Sequence, residues 1–439
     1  MSDIRTAAYA RQLAELIRCE TISVANQTDK GKFYGFHDLL RRQFPKLFQL
    51  ASFEDFGGSF LLCWKGTTNQ NPILLMSHHD VVEAQGDWKY PPFSGTIAEG
   101  KLWGRGTLDT KSSLWAMLRA AEELIAEGFV PKQDVYFFSA CTEETDGSGA
   151  DTVSKVLLER GIRFSLVLDE GGMVLDEPIS GAKGTFAMIG LGEKGCADLK
   201  FIARSSGGHA STPGRNTPLV RLGKFMAAVE SANLFTADMH PAIMEMFRRV
   251  AATMGQPLQF VLGHPRFFKP ILLKVIPLVS ATAGAMLKTT LAFTMAQGSD
   301  GSNVLPQEAF VVGNMRYSHH QGSESSIASV RNLAAKYDIE TVVLDPGFSG
   351  SVTDYHSEGF SLVERSVCQV FPGVITTPYL MTGASDCRYM ERVSDTCIRF
   401  APIHITQEQM DSIHGKDENI DLSALVPAVD FYKYIISEA

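Results

Sequence analysis

The first 190 residues alternate short apolar runs with amphipathic segments. Apolar runs at residues 72–76, 135–139 and 165–168 each end in polar residues, a pattern typical of buried parallel strands. Between the first two, residues 112–128 place apolar side chains at helical spacing and end at Gly128, a helix stop signal. Further helices are predicted at 7–18, 35–48 and 152–160. This strand–helix alternation predicts an α/β sheet with helices on both faces.

The middle of the chain has a different pattern. Strands are predicted at 199–203, 289–296, 309–317 and 340–344, with helices at 218–231 and 326–337. The order βαββαβ suits a small α+β sandwich of ferredoxin-like type. An irregular helical insertion, about residues 236–287, separates its first helix from its second strand. After residue 361 helix and strand patterns resume, and the last helix is predicted at 430–437.

Length and composition narrow the class of protein. A chain of 439 residues exceeds the size of one comfortable core, which predicts two domains. With 45% hydrophobic and 20% charged residues, disorder and coiled coil are excluded for the chain as a whole. The net charge of −9 argues against a nucleic-acid partner.

The cysteines and the apolar segments indicate where in the cell the protein is expected. The seven cysteines are odd in number and form no CxxC pair, so we expect reduced thiols in a cytoplasmic protein. The N-terminus lacks the basic-then-apolar order of a signal peptide. The most apolar stretch, Ile271 to Leu287, is interrupted by Lys274 and Pro277 and is too short for a membrane span. We therefore expect a buried or lid helix there and no membrane partner.

Polar residues capable of chemistry follow the predicted strands. In α/β sheets such residues gather at the carboxyl ends of the strands, along one rim. Imidazole and carboxylate groups suit Zn²⁺, and two histidines with several carboxylates suit a two-metal site. The candidates, in chain order, are His78, Asp80, Asp109, Glu143, Glu144, Asp169, Glu170 and His414.

Two local patterns sharpen this interpretation. Adjacent Glu143 and Glu144 repel each other unless a cation is near or one is protonated, so one is expected to bind metal and the other to move a proton. The spacing His78-x-Asp80 fits a histidine ligand oriented by a carboxylate. Each motif alone also has a structural explanation, since a histidine at a strand end is more often structural and a Glu-Glu pair is usually solvated. Their shared order after successive strands favours the metal site.

At these residues the sequence resembles the M20 family of metallopeptidases, most closely its carboxypeptidase S branch. The resemblance runs in order over nearly the whole chain. The matching motifs are Ser77-His-His-Asp-Val-Val82, Trp88 to Gly95, Gly104-Arg-Gly-Thr-Leu-Asp-Thr-Lys111, Glu143-Glu144 to Ala150, Asp169-Glu-Gly-Gly172, Gly207-Gly-His-Ala-Ser-Thr-Pro213, Gly383-Ala-Ser-Asp386 and His414-Gly-Lys-Asp-Glu418.

The resemblance implies a zinc-exopeptidase-like catalytic domain, a mixed sheet between helices, interrupted by a ferredoxin-like lid and dimerisation domain. The catalytic domain would comprise residues 1–193 and 347–439, and the inserted domain residues 194–346. Two zinc ions per subunit are implied, for which Co²⁺ or Mn²⁺ could substitute.

Roles for individual residues also follow from the resemblance. Asp109 would bridge the ions and be followed by a cis peptide bond. His78 and Asp169 would complete one ion's shell, and Glu144 and His414 the other's. Glu170 is the alternative to Asp169 because some members place a glutamate there. Asp80 would orient His78, and Glu143 would be the general base.

On the inserted domain, His209 would donate to the oxyanion in the partner subunit's site, which implies a homodimer. A turn residue among glycines is the alternative for His209. Candidates for binding a substrate carboxylate are Asn303, Arg316, Asp386 and Arg388. For each of these four, a structural salt bridge or turn role is an equal alternative.

The expected activity is hydrolysis of an amide bond next to a free carboxylate, in a small peptide or an N-acyl-amino acid. One alternative is a deacetylase or desuccinylase of a specific N-acylated metabolite on the same scaffold. A non-catalytic binding protein is the other, but such a protein is expected to have lost ligands or the base.

Overall fold

The computed structural model describes residues 2–348 and 350–439. The helices are α1 (Ser2–Ile17), α2 (Gly31–Gln43), α3 (Pro45–Leu50), α4 (Lys111–Ala126), α5 (Ser148–Glu159), α6 (Pro218–Ser231), α7 (Pro241–Ala251), α8 (Leu258–Gly263), α9 (Pro265–Val279), α10 (Ala281–Leu287), α11 (Gly322–Ala335), α12 (Glu358–Val370), α13 (Cys387–Met390), α14 (Gln407–Ser412) and α15 (Leu425–Glu438). The strands are β1 (Ser52–Phe56), β2 (Ser59–Trp64), β3 (Thr68–His78), β4 (Thr96–Ala98), β5 (Lys101–Trp103), β6 (Gln133–Ala140), β7 (Leu166–Asp176), β8 (Thr185–Glu193), β9 (Gly195–Arg204), β10 (Gly208–His209), β11 (Thr290–Gln297), β12 (Val304–Leu305), β13 (Glu308–Tyr317), β14 (Glu340–Phe348), β15 (Ile375–Met381), β16 (Cys397–Ile405) and β17 (Asn419–Asp421).

A mixed sheet of eight strands forms the larger part of the molecule. Its order is β1-β2-β6-β3-β7-β16-β8-β15, and β6, β3, β7 and β16 run parallel to one another. Ile73 and Leu75 of β3 pack into the core shared with α1, α4 and α15, whereas Leu74 and Met76 pack with α5 and α13. Both faces are therefore buried, which explains the continuous apolar run in this strand. The predicted α/β class, with helices on both faces, is confirmed.

A second sheet carries the α+β part. Its order is β11-β13-β9-β14, and every neighbouring pair is antiparallel. Phe225 of α6 and Val330 of α11 pack against Phe201 and Val311 of this sheet in a separate core. The strands and helices follow the predicted βαββαβ order. Where the two domains divide, at residues 194 and 346, stays a prediction.

Helices α7 to α10 make up the insertion between α6 and β11. Apolar residues of α7 and α9, among them Ile243 and Ile276, belong to the same core as the large sheet. Arg249 of α7 donates to the carbonyl oxygen of Thr376 at 3.0 Å, at the edge strand β15. Lys194, between the two sheets, donates to the carbonyl oxygens of Ala285 and Lys288 at 3.0 and 2.9 Å. The insertion therefore contacts the large sheet and the segment that joins the two sheets.

The apolar stretch noted in the sequence divides at Ser280, between α9 and α10. Over the described residues, the structure contains no helix with the length and apolar character needed to cross a membrane.

Among the predicted elements whose bounds differ from the structure, two have an identifiable cause. The helix predicted at 35–48 is divided at Phe44, because the residue before a proline is driven out of the helical conformation and Pro45 then starts α3. The strand predicted at 165–168 continues to Asp176 through pairing with β16 and β8. As a result, Asp169 and Glu170 lie inside a strand and not after it.

Candidate metal centre

The predicted ligands converge because neighbouring parallel strands end together. His78 is the last residue of β3 and pairs with Ala140, the last residue of β6. The loop after β6 carries Glu143 and Glu144 to the same edge of the sheet. Asp109 lies just before α4, and the peptide bond that follows it is cis, as the resemblance implied.

The distances join these residues into one cluster. Asp109 lies between the two histidines, with Oδ1 2.9 Å from Nε2 of His78 and Oδ2 3.0 Å from Nε2 of His414. Nε2 of His414 is also 3.0 Å from Oε2 of Glu144. On the other side, Nε2 of His78 is 3.3 Å from Oε1 of Glu170. Each oxygen of the central carboxylate thus faces its own histidine, as a bridging ligand requires.

Hydrogen bonds fix which nitrogen of His78 faces the cluster. Its Nδ1 lies 2.9 Å from the carbonyl oxygen of Asp80, and because a carbonyl only accepts, Nδ1 carries the proton. In the neutral ring Nε2 is then an acceptor, directed at the carboxylate of Asp109. Two acceptors at 2.9 Å need a cation or an additional proton between them.

Asp80 supports the cluster in a second way. Its side chain accepts hydrogen bonds from the backbone N–H groups of Glu143 and Glu144, at 3.3 and 3.1 Å, and from the hydroxyl of Ser23 at 2.7 Å. Its own carbonyl orients His78. The residue therefore links the end of β3 to the loop that carries both glutamates.

The pKa values of the cluster are shifted because several carboxylates are buried together. Burial raises the pKa of Glu170 to about 8, and the nearby Asp109 adds to this effect. Burial also raises the pKa of Glu143 well above its usual range, against the lowering effect of His78. Burial alone would lower the pKa of His78, but Glu170 and Asp109 raise it well above the ordinary value. A bound cation would neutralise this cluster.

The donor set fits metal ions. His78, Asp109 and Glu144 each present a ligand atom within 4.8 Å of the others, and so do His78, Glu143 and Glu170. Oε1 of Glu144 is buried and has no hydrogen-bond partner among the described residues, which leaves a free ligand atom at the cluster. Imidazole nitrogen and carboxylate oxygen are ligand types that suit Zn²⁺.

Of the two neighbouring carboxylates on β7, Glu170 lies 3.3 Å from Nε2 of His78, whereas Asp169, the residue preferred from the sequence, makes no ion pair with the cluster among the described residues. The register of β7 against β16 shifts between Asp169 and Gly172, so the regular alternation of side chains is interrupted next to both carboxylates. Asp169 is 2% exposed and belongs to neither of the groups that could share an ion among the described residues. Which of the two carboxylates binds metal stays a prediction.

Sequence reasoning left two residues of the site without a role, Arg105 and Glu418. The Glu418 carboxylate is fully buried and accepts from Nη1 of Arg105 at 2.7 Å. It also accepts from the backbone N–H groups of Gly106, Leu108 and Asp109, at 3.1, 2.7 and 3.2 Å. Both residues stand in quoted motifs, but their pairing across more than 300 positions has no local signal.

Arg105 also reaches the loop of the second histidine. Its Nη2 donates to the carbonyl oxygen of Gly415 at 2.7 Å, next to His414. The Arg105–Glu418 pair therefore connects the loop that carries Asp109 to the loop that carries His414.

His209 and Asn303 lie together on the inserted domain, away from the cluster. His209 is exposed in the short strand β10, and its Nδ1 is 2.7 Å from the hydroxyl of Ser211. The carbonyl oxygen of Asn303 accepts from the N–H of Ala210 at 2.9 Å. No hydrogen bond or ion pair joins either residue to the metal ligands within the described chain. Their catalytic and binding roles stay predictions.

The other three substrate-binding candidates lie in two parts of the fold, Arg316 on the second sheet and Asp386 and Arg388 at the start of α13. Arg316 is on β13, where its Nε donates to Oδ1 of Asn314 at 3.1 Å. Arg388 donates to the carbonyl oxygen of Ser385 at 3.0 Å. Asp386 is 3% exposed, and its carboxylate lacks a hydrogen-bond partner among the described residues. Burial raises its pKa well above the usual range, and the nearby Asp169 adds to this effect. Whether these residues contact substrate stays a prediction.

The chain is similar in sequence to proteins of known type. The chain is 30% identical over 454 residues to probable carboxypeptidase S-like 2 of Dictyostelium discoideum, covering 99% of this chain and 85% of that protein. It is 31% identical over 373 residues to N-fatty-acyl-amino acid synthase/hydrolase PM20D1 of Homo sapiens, covering 84% and 74%.

Among solved structures, the M20 family metallo-carboxypeptidase Sso-CP2 from Sulfolobus solfataricus superposes with a TM-score of 0.71. The sequence identity is 17%, and the match covers 98% of both chains. The sequence profile described as peptidase family M20/M25/M40 matches residues 74–438. From its family profile, its relatives and its fold, the chain belongs to the M20/M25/M40 peptidase family and is a metallo-hydrolase.

Proposed function

We propose that the protein is a two-zinc hydrolase that cleaves an amide bond next to a free carboxylate, in a peptide or an N-acyl-amino acid. The observation that carries the proposal is the position of Asp109, whose two oxygens lie 2.9 and 3.0 Å from Nε2 of His78 and His414. The names of the relatives, probable carboxypeptidase S-like 2 and N-fatty-acyl-amino acid synthase/hydrolase, support this substrate class.

The ligand assignment follows the distances. Asp109 would bridge the two ions, with His78 and Glu170 on one side and Glu144 and His414 on the other. Glu170 thus takes the place first assigned to Asp169. When bound, the zinc ions would lower the pKa of a water molecule and polarise the scissile carbonyl.

Glu143 supplies the proton transfer in this proposal. Its carboxylate belongs to the group of His78 and Glu170, so it lies beside the cluster without being needed to bridge it. In this position it can take a proton from the attacking water and deliver it to the leaving amine. Asp80 holds the backbone of Glu143 in place through the 3.3 Å hydrogen bond.

Recognition of substrate would come from the inserted domain and the rim of the large sheet. A substrate carboxylate needs a cationic or N–H donor, which Asn303, Arg316 and Arg388 offer. His209 would donate to the oxyanion across a homodimer, since no contact places it at its own cluster among the described residues. Seven free cysteines support a reducing, cytoplasmic location.

The test is hydrolysis of a panel of dipeptides, N-acetyl-amino acids and N-lauroyl-amino acids by the metal-loaded protein and its Glu143→Gln variant. We expect the variant to keep both metal ions and to lose turnover by about 10²–10⁴-fold. The matched control is Glu159→Gln, a change of an exposed glutamate at the end of α5.

Turnover that survives complete metal removal by a chelator would refute the two-zinc proposal. Retained turnover in Glu143→Gln would remove this residue from the base role. Activity confined to one N-acylated metabolite without a free carboxylate next to the amide would favour the deacylase alternative.

A further inference from the structure

An exposed apolar surface lies on the outer face of the insertion. On α9, the side chains of Phe267, Ile271, Val275, Leu278 and Val279 are 45–84% exposed. We call these five residues the α9 stripe. They are five of the nineteen large apolar side chains that are exposed in the described part of the chain, concentrated on a single helix. Such clustering marks an interaction site, whereas single exposed apolar residues need no explanation.

The geometry of α9 shows that the stripe is separate from the core. Phe267, Ile271, Val275 and Leu278 recur at helical spacing on one face. The neighbouring face, about 100° around the helix, places Leu272 and Ile276 in the large core, where they are 5% and 6% exposed. The helix is therefore apolar on two sides, and packing within the described chain uses only one of them.

The charge around the stripe is positive, although the whole chain carries −9. No aspartate or glutamate occurs between Glu245 and Asp300. The basic residues of this segment are Arg248, Arg249, Arg266, Lys269, Lys274 and Lys288. Arg266 and Lys274 lie on α9 itself, and neither forms an ion pair with any residue that the structure describes. The surface is therefore complementary to an anionic partner that also accepts apolar side chains.

A cavity of about 720 Å³ opens beside the stripe, and Phe267 is common to both. Its lining combines apolar walls with three basic side chains, of which Arg248 pairs with Glu245 and Lys269 with Asp238, so Arg266 supplies the cationic group that has no ion pair among the described residues. An anionic headgroup would meet positive charge at this point while its acyl chains contact the stripe.

We propose that the α9 stripe and its basic border dock the protein on an anionic lipid bilayer surface. The 15-residue helix would lie in the interface, because no helix of the described chain could cross the bilayer. A second copy of the chain fits less well, since pairing two such faces brings like charges together. This inference departs from the sequence expectation of no membrane partner, and it does not depend on the proposed chemistry.

The test is sedimentation of the full chain with vesicles of phosphatidylcholine, with and without phosphatidylglycerol. We expect binding only when phosphatidylglycerol is present, and a loss of binding as NaCl rises. Arg266→Gln/Lys274→Gln should weaken binding about 25-fold at low salt, from about fivefold per basic residue. Arg11→Gln/Lys46→Gln, two exposed basic residues elsewhere, is the matched control and should leave binding unchanged.

Phe267→Ser/Leu278→Ser tests the apolar component and should weaken binding about tenfold or more. Its matched control is Ile4→Ser/Val130→Ser, since these side chains are 78% and 59% exposed and lie outside α9. The proposal is wrong if the original protein does not bind the vesicles. It is also wrong if both test variants, Arg266→Gln/Lys274→Gln and Phe267→Ser/Leu278→Ser, bind them as well as the original protein does.

Light scattering without vesicles tests whether a second copy of the chain, instead of a lipid surface, covers the α9 stripe. If Phe267→Ser/Leu278→Ser lowers the particle mass in solution, a second copy covers the stripe and the proposal is wrong. An unchanged mass together with reduced vesicle binding supports it. The assays use no substrate, so their failure is distinguishable from failure of the hydrolase proposal.

Discussion

Replacing Glu418 with glutamine is the sharpest test of how the metal cluster is held. One oxygen of Glu418 accepts from the N–H groups of Leu108 and Asp109, and the other accepts from Arg105 and from the N–H of Gly106. A glutamine presents a donor in place of one oxygen, so two of these four hydrogen bonds are lost whichever way the amide turns. Arg105 loses its anionic partner in either case.

The magnitude follows from these contacts. Hydrogen bonds to charged groups contribute about 1.5–3 kcal/mol each, so the loss of two suggests about 3–6 kcal/mol. Removing one partner of a buried ion pair costs about 3–5 kcal/mol, which agrees. We therefore expect Glu418→Gln to lower the free energy of unfolding of the metal-free protein by about 3–5 kcal/mol.

Metal affinity should fall as well, since Glu418 fixes the backbone of Asp109 without touching the metal itself. Loss of such a supporting contact typically weakens metal binding about 10–100-fold. The assays are urea unfolding followed by circular dichroism and competition titration with a zinc indicator. Glu159→Gln serves as the exposed control. A loss of less than about 1 kcal/mol with unchanged zinc affinity would refute the positioning role of Glu418.

Three further predictions concern the cluster, the inserted domain and the core. Glu170→Gln should remove about one metal ion per chain while Asp169→Asn keeps both, measured by plasma mass spectrometry, and the opposite result would restore Asp169 as the ligand. His209→Ala should lower kcat about 10²–10³-fold with unchanged metal content, and an equal loss of metal in the same preparation would indicate a structural role. Trp115→Ala should destabilise the protein by about 3–5 kcal/mol in urea unfolding because this side chain is fully buried under the large sheet, whereas a loss near zero would contradict that packing.

The strands of the large sheet differ in how visible they are in the sequence. Residues 72–76 and 135–139 are predictable because burial on both faces requires a continuous apolar run. The strand β8 carries Gly190 and Gly192, which dilute its pattern, and its conformation depends on pairing with β7, β16 and β15. The close approach to β7 is visible at Gly172, where an added Cβ would lie 1.8 Å from the carbonyl oxygen of Met188. Such contacts between strands have no local signature.

The type of site could be predicted from the sequence alone, from the kinds of side chain present and their order along the chain. Imidazole and carboxylate residues after successive apolar runs identify the type of site, because metal ligands are limited to few side chains and sheet edges collect them. The M20 resemblance then assigned His78, Asp109, Glu144 and His414, and the distances bring these four together.

Two features of the site could not be read from the order of residues: the direction in which a side chain points, and contacts between residues distant in sequence. The positions of Asp169 and Glu170 relative to His78 depend on the local geometry of β7, whose register against β16 shifts between Asp169 and Gly172. The support of Asp109 by Glu418 joins residues 309 positions apart. Local sequence determines which groups are available and which apolar runs become buried strands. Only tertiary packing decides which face a carboxylate presents and which buried charge holds it, because both depend on neighbours that the chain meets after folding.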